Sequence, residues 1–163
     1  MLQHWGCSKF VSIDPWIYQD DYLDPSNAPT VIQQGRKTTT VQRLAQFGDR
    51  SRIITGTSLE VAPNFEDGVF SFIYLDARHD YDSIKADLAA WYPKLCSGGL
   101  FAGHDYFDHD PERGLMSKYV PRLFGATYYN GVQSAVDEFG AEHGLTIGST
   151  LADEIPSWWT IKE

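Results

Sequence analysis

Phe72-Ile73-Tyr74-Leu75-Asp76-Ala77-Arg78-His79-Asp80-Tyr81, continued to Tyr106 as DSIKADLAAWYPKLCSGGLFAGHDY, is the stretch on which the fold reading turns. From Phe70 to Leu75 nearly every residue is apolar. That is the pattern of a strand buried on both faces of a parallel sheet. Ile84, Leu88, Trp91 and Leu95 then recur at helical spacing, which predicts an amphipathic helix over 82–95. Asp80 or Asp82 can cap its first turn. Ser97-Gly98-Gly99 turns the chain, and Leu100 to Gly103 is the next strand. Strand, helix and strand in this order make a parallel unit with a helical crossover.

The pattern extends both ways. Upstream, Lys9 to Ile13 reads as a strand that stops at Asp14-Pro15-Trp16. Residues 17–35 read as a long loop, and 38–47 as a helix punctuated by Gly48. Arg52 to Thr55 is a second strand ending in Gly56-Thr57-Ser58, with a short helix through Val61 and Phe65 after it. Downstream, 106–130 is a long insertion in which Asp108, His109 and Asp110 read as solvated loop. Val132, Ala135, Val136 and Phe139 mark a helix. Leu145 to Ile147 and Trp158 to Ile161 read as a closing antiparallel pair. The expectation is one α/β domain, 1–163, with a mainly parallel sheet and an antiparallel C-terminal strand.

Composition narrows the function classes. The 163 residues suit one domain with a real core, and 42% hydrophobic content argues against disorder. The net charge is −9 and the basic residues are scattered, so no nucleic-acid face is expected. A small neutral or cationic substrate, or a sugar, suits that surface better. Cys7 and Cys96 have neither a disulfide framework nor zinc spacing, which fits reduced thiols in a cytoplasmic protein. No apolar run reaches transmembrane length.

In parallel α/β sheets, ligands sit at the C-terminal ends of the strands. That rule selects Asp14, Gly56 to Ser58, Asp76 to His79, and His104-Asp105, each directly after an expected strand. A carboxylate at Asp14 can accept both hydroxyls of a ribose, although an Asp-Pro turn alone explains the residue too. Asp76 can hold a divalent metal through oxygen, and His79 can accept a proton near neutral pH. His104 and Asp105 add ligands from the neighbouring strand end. Magnesium would favour the carboxylates, and zinc or iron the histidines.

The run Phe72 to Tyr106 resembles the fourth strand, following helix and fifth strand of class I S-adenosylmethionine-dependent methyltransferases. It is most similar to their small-molecule and sugar O-methyltransferase branch. Gly131 to Phe139 and Ser157 to Lys162 resemble the late helix and last strand of the same family. The resemblance implies a Rossmann-like sheet and S-adenosylmethionine as cofactor. It implies that Asp14 binds the cofactor ribose and that Gly56, Thr57 and Ser58 contact the adenine. It places Asp76 beside the cofactor and as a metal ligand, with His104 and Asp105 completing a site for magnesium or another divalent ion. His79 falls where relatives carry the base that deprotonates the acceptor hydroxyl.

The chain departs from the family at two places. His104 stands where relatives usually carry an acid. No Glu/Asp-x-Gly-x-Gly loop precedes Asp14, and only Gly6 occurs before Gly35. The expectation is therefore an N-terminally truncated sheet that lacks a central strand, whose open edge would favour a homo-oligomer. Two other readings follow from the same residues: a non-catalytic or truncated module of this fold, and a metal-dependent hydrolase built on Asp76, His79, His104 and Asp105.

Overall fold

The computed structural model describes residues 6–118, 120, 128–150 and 154–163. Its contacts fall into two compact units, Met1–Val61 and Ala62–Glu163.

In the first unit, β1 (Phe10–Asp14) and β2 (Ser51–Thr55) pair in parallel, from Phe10 opposite Ser51 to Asp14 opposite Thr55. The crossover carries α1 (Thr30–Leu44), which starts eight residues earlier than the apolar pattern indicates. Its sequence, TVIQQGRKTTTVQRL, is mostly polar and buries no residue, so periodicity gave little sign of its first half. Pro29 supplies the entry: its fixed φ of −49° suits the residue just before a helix. Thr38 and Thr39 turn their hydroxyls back onto the carbonyls of Gln34 and Gly35. A 3₁₀ stretch, Ala45–Arg50, follows, and Gly48 at φ 52° reverses the chain into β2. A short α2 (Ser58–Val61) closes the unit.

The second unit holds a four-stranded sheet in the order β3-β4-β8-β7. β3 (Phe70–Leu75) and β4 (Leu95–Gly103) run parallel, with a register shift between Phe70 and Phe72. The expected turn at Ser97-Gly98-Gly99 is absorbed into β4, which therefore begins five residues early. β8 (Trp158–Ile161) pairs antiparallel with β4, and β7 (Gly148–Ser149) pairs antiparallel with β8. Thus the closing pair forms, but on Gly148 and Ser149 rather than Leu145 to Ile147. Gly148 is where backbone meets indole: a Cβ there would lie 2.4 Å from the Trp159 ring. The insertion contributes a two-residue ribbon, β5 (Asp108–His109) with β6 (Asn130–Gly131).

Two helices cover one face of this sheet. α3 (Tyr81–Trp91) buries Ile84, Leu88 and Trp91, and Asp80 caps it by accepting from the Ser83 N–H at 3.0 Å. α4 (Val132–His143) packs against α3 and buries Val132, Ala135, Val136 and Phe139. Between them and the sheet lie Leu88, Leu95, Phe101 and Trp158. Phe101 meets Trp158 edge to face, with centroids 5.3 Å apart. The register places Ile73, Leu75, Phe101 and Thr160 on this covered face. The opposite face carries Tyr74, Trp159 and Ile161, all exposed. β3 is therefore buried on one face within its unit, where its apolar run suggested two. Tyr74 instead directs its ring outward and its hydroxyl toward Ser157 at 3.3 Å.

Gly103 is a second close approach in the sheet, and the one between its two parallel strands. A Cβ there would meet the Leu75 carbonyl and the Trp158 indole nitrogen, each at 2.6 Å. Neither is the free end of a flexible side chain. Gly103→Ala is expected to destabilise the protein by about 1–3 kcal/mol through overpacking. A lowered urea midpoint at unchanged m-value would register it; an unchanged midpoint would contradict the close approach.

Candidate functional site

In the first unit, β1 ends at Asp14, whose Oδ1 accepts the Trp16 N–H at 2.7 Å. This small turn across Pro15 holds Trp16 at φ 55°, an uncommon left-handed conformation for a bulky residue. Gln34 of α1 secures it by donating to the Trp16 carbonyl at 2.8 Å. The Gly56 N–H donates to the Asp14 carbonyl at 3.3 Å, so the two selected strand ends are adjacent. Gly56 is required there, since a Cβ would lie 2.9 Å from Val61 Cγ2.

Thr57 has a structural task in the same turn. Its N–H and hydroxyl both donate to Glu60 Oε2 at 2.9 Å, and its hydroxyl accepts the Glu60 N–H at 3.3 Å. This is a capping box, and its Thr-x-x-Glu spacing was legible in the sequence. Glu60 was not among the residues singled out there. The Thr57 N–H, and then its hydroxyl, hold the Glu60 carboxyl below its ordinary range.

In the second unit, β3 and β4 end level with each other. Leu75 is opposite Gly103, and the His104 N–H donates to the Leu75 carbonyl at 3.1 Å. Asp76 and the His104-Asp105 pair therefore leave the sheet side by side. His79 returns toward them from the loop after β3. Its Nε2 lies 3.1 Å from Asp105 Oδ2 and 3.6 Å from Asp76 Oδ1. Asp105 Oδ2 is also 3.2 Å from His104 Nδ1. His79 and Asp105 are buried, and Asp76 is exposed. Among the described residues, Asp76, His79 and Asp105 offer ligand atoms that all lie within 4.8 Å of one another. His104 sits one step outside this trio, joined to it through Asp105.

The backbone holds the trio in place. Asp105 adopts φ 55°, left-handed and buried, which Asp tolerates better than most residues. Its carbonyl accepts the Phe107 N–H at 2.7 Å, and the next residue, Tyr106, donates its N–H to Pro156 at 2.9 Å. The Tyr106 hydroxyl bonds Asp137 on α4. Burial and that carboxylate push the phenol well above its ordinary value. On the other side, the His79 carbonyl accepts the Gly131 N–H at 2.9 Å. A Cβ at Gly131 would sit 2.7 Å from the Tyr81 side chain, so the ribbon lies directly against the loop that carries His79.

Asp80 shows how local bonding decides a charge. Burial opposes its ionisation, but hydrogen bonds from Ser83 and Arg78 outweigh that and hold the carboxyl below its ordinary value. Asp14 goes the other way. Burial raises its carboxyl above the ordinary 3.8, only partly offset by the Trp16 N–H and the Arg36 charge. A carboxyl with a raised folded-state pKa stabilises the fold while protonated, and that contribution fades as pH rises from 3.8 through the raised value. Asp14→Asn is expected to remove this loss of stability. Denaturation midpoints of the two proteins should diverge, in favour of Asn, as the pH rises across that window; parallel curves would refute the burial effect.

With this geometry in view, the likeness to known proteins is specific. The family model described as a methyltransferase domain matches residues 1–106, more than half of the chain. An uncharacterized protein, y4gI, of Sinorhizobium fredii is 34% identical over 60 residues, which are 37% of this chain and 7% of that protein. A methyltransferase of Podospora anserina, solved with S-adenosylhomocysteine bound, superposes with a TM-score of 0.58 at 18% identity, over 95% of this chain and 61% of that one. A structure described as a caffeoyl-CoA O-methyltransferase from Staphylococcus aureus superposes with a TM-score of 0.53 at 18% identity, over 94% of this chain and 64% of that one. The chain thus spans a little under two thirds of the length of these solved structures, and the likeness carries the Rossmann-like α/β fold. By the match over residues 1–106, this chain belongs to the methyltransferase domain family.

Proposed function

We propose that the chain, 1–163, is one methyltransferase domain that transfers the methyl group of S-adenosylmethionine to a hydroxyl of a small molecule or sugar in the cytoplasm. The observation that carries this reading is the buried His79–Asp105 pair, 3.1 Å apart at the ends of two adjacent parallel strands. Family membership supports the cofactor, and so does the S-adenosylhomocysteine bound to the Podospora relative. None of the described helices is long and apolar enough to cross a membrane.

The residues divide the work by chemistry. Asp14 accepts the ribose hydroxyls, with Gly56, Thr57 and Ser58 forming the adjoining adenine turn. In the other unit, Asp105 orients the His79 imidazole and stabilises it once protonated. His79 removes the proton of the acceptor hydroxyl. The oxygen then forms a bond to the methyl carbon as the carbon–sulfur bond breaks, and the sulfonium leaves as a neutral thioether. The methyl group arrives activated, so positioning and deprotonation are the main demands on the protein.

The same cluster fits a divalent cation. Asp76 and Asp105 present carboxylate oxygens within 4.8 Å of His79 Nε2, a mixed set acceptable to magnesium or a transition metal, and His104 adds a further donor beside Asp105. Such an ion, when bound, supplies polarisation of an acceptor oxygen.

Isothermal titration should show saturable S-adenosylmethionine binding that Asp14→Ala weakens by roughly tenfold or more, the loss of a bidentate acceptor. No heat of binding at millimolar cofactor would sink the proposal. Against a panel of small hydroxylated acceptors with radiolabelled cofactor, His79→Ala should lower turnover by about 10²–10⁴ while cofactor affinity holds. A chelator arm reads out metal use separately.

A further inference from the structure

We propose that His109 and Asn130, opposed across the β5–β6 ribbon, form a two-donor subsite for an uncharged oxygen, carbonyl or hydroxyl, of the methyl acceptor. The ligand's identity as methyl acceptor rests on the methyltransferase reading; the donor pair itself does not.

The sequence pattern placed His109 in a solvated loop. In the structure it is 2% exposed, and Asn130 is 3% exposed. The two are register partners in an antiparallel pair, so their side chains leave the same face of the ribbon. The backbone settles the hydrogen-bond sense of each. His109 Nδ1 lies 3.1 Å from the Ser117 N–H, which can only donate. Nδ1 is therefore the lone-pair nitrogen, and Nε2 of the neutral ring carries the proton. Asn130 Oδ1 accepts the Val132 N–H at 3.0 Å, which fixes the amide orientation and turns Nδ2 the other way. His109 Nε2 and Asn130 Nδ2 are both buried with no hydrogen-bond partner among the described residues. Two donors on one face of the ribbon are thus fixed and desolvated, and both call for an acceptor.

The surroundings choose the acceptor's chemistry. The charged residues flanking His109 in the chain are Asp108 and Asp110, the latter shared with Arg113 at 3.3 Å. A neutral oxygen suits that setting better than a carboxylate. The Tyr128 ring, 6.0 Å from the His109 ring, offers an apolar flank for the body of the ligand. The ribbon is also rigidly mounted. Asp108 accepts from the Ser134 N–H at 3.0 Å and hydroxyl at 2.6 Å at the start of α4. Gly131, next to Asn130, donates to the His79 carbonyl. The ribbon that carries the pair is therefore tied by one short stretch of backbone to the loop of the proposed base.

The test uses N-methylacetamide as a neutral carbonyl probe and acetate as its anionic counterpart. In a nitrogen-15 spectrum of the imidazole region, the His109 Nε2–H signal is identified by its loss in His109→Asn. That variant keeps an acceptor for the Ser117 N–H. N-methylacetamide should shift the wild-type signal saturably, and acetate should not. Binding of the probe, followed by calorimetry, should weaken about tenfold in His109→Asn and in Asn130→Asp, which keeps Oδ1 for Val132. S-adenosylhomocysteine affinity should hold in both variants. Absence of a saturable wild-type shift overturns the proposal whether or not the variants fold, as does an ordered water at the pair that the probe does not displace. Equal binding of acetate overturns the neutral-oxygen assignment. A wild type that takes the probe but no cofactor would instead sink the methyltransferase reading and leave the subsite standing.

Discussion

The level ending of β3 and β4 is the constraint from which the second unit's site follows. Parallel strands need not stop together. Here Leu75 is opposite Gly103, and the hydrogen bond from His104 to Leu75 closes the pair without slack. Three groups of the candidate site are counted from that bond. Asp76 is one residue beyond it on one strand, and His104 and Asp105 are the next two on the other. Gly103 is the only residue type that lets the Trp158 indole lie so close over this ending. Packing of an aromatic core and placement of two carboxylates are thus a single geometric fact.

The site also illustrates how strain and hydrogen bonding are shared. Left-handed backbone at Asp105 and at Trp16 costs on the order of 1 kcal/mol or more each and persists because neighbours overdetermine it. Around Asp105 these neighbours are Pro156, Phe107 and the Tyr106–Asp137 bond. Around Trp16 they are the Asp14 carboxylate and Gln34. Both strained residues stand at or next to a strand-end carboxylate. The ordinary core, by contrast, contains no comparable backbone among the described residues other than at glycines.

Much of this was legible in the sequence because strand ends are marked by abrupt changes of residue type. Ile73-Tyr74-Leu75 giving way to Asp76 located one strand end of the candidate site, and Ala102-Gly103 giving way to His104-Asp105 located the other. What the sequence did not show falls into physical classes. The first half of α1 has no apolar stripe, because that helix buries no side chain. The 3.1 Å meeting of His79 with Asp105 depends on how the 76–80 loop folds back, which spacing along the chain does not encode. The burial of His109 arises from a two-residue ribbon that polar residue types disguised as loop. Thr57-x-x-Glu60, finally, was readable as a capping box, and the attraction of a ligand role for Thr57 hid the simpler one.

The outward face of the four-stranded sheet has a consequence for how the molecule can be observed. Consecutive residues Trp158 and Trp159 point to opposite sides of β8, one 1% exposed and the other 45% exposed. A pair of adjacent indoles thus samples two environments that differ in polarity and in access to quencher. The inner one emits from beneath the helices and changes only when the core opens. The outer one emits from the bare face and responds to anything laid over it. Comparing the protein with a Trp159→Phe variant isolates the outer indole from the other four tryptophans, and so separates loss of structure from coverage of a surface, two events that most optical signals merge.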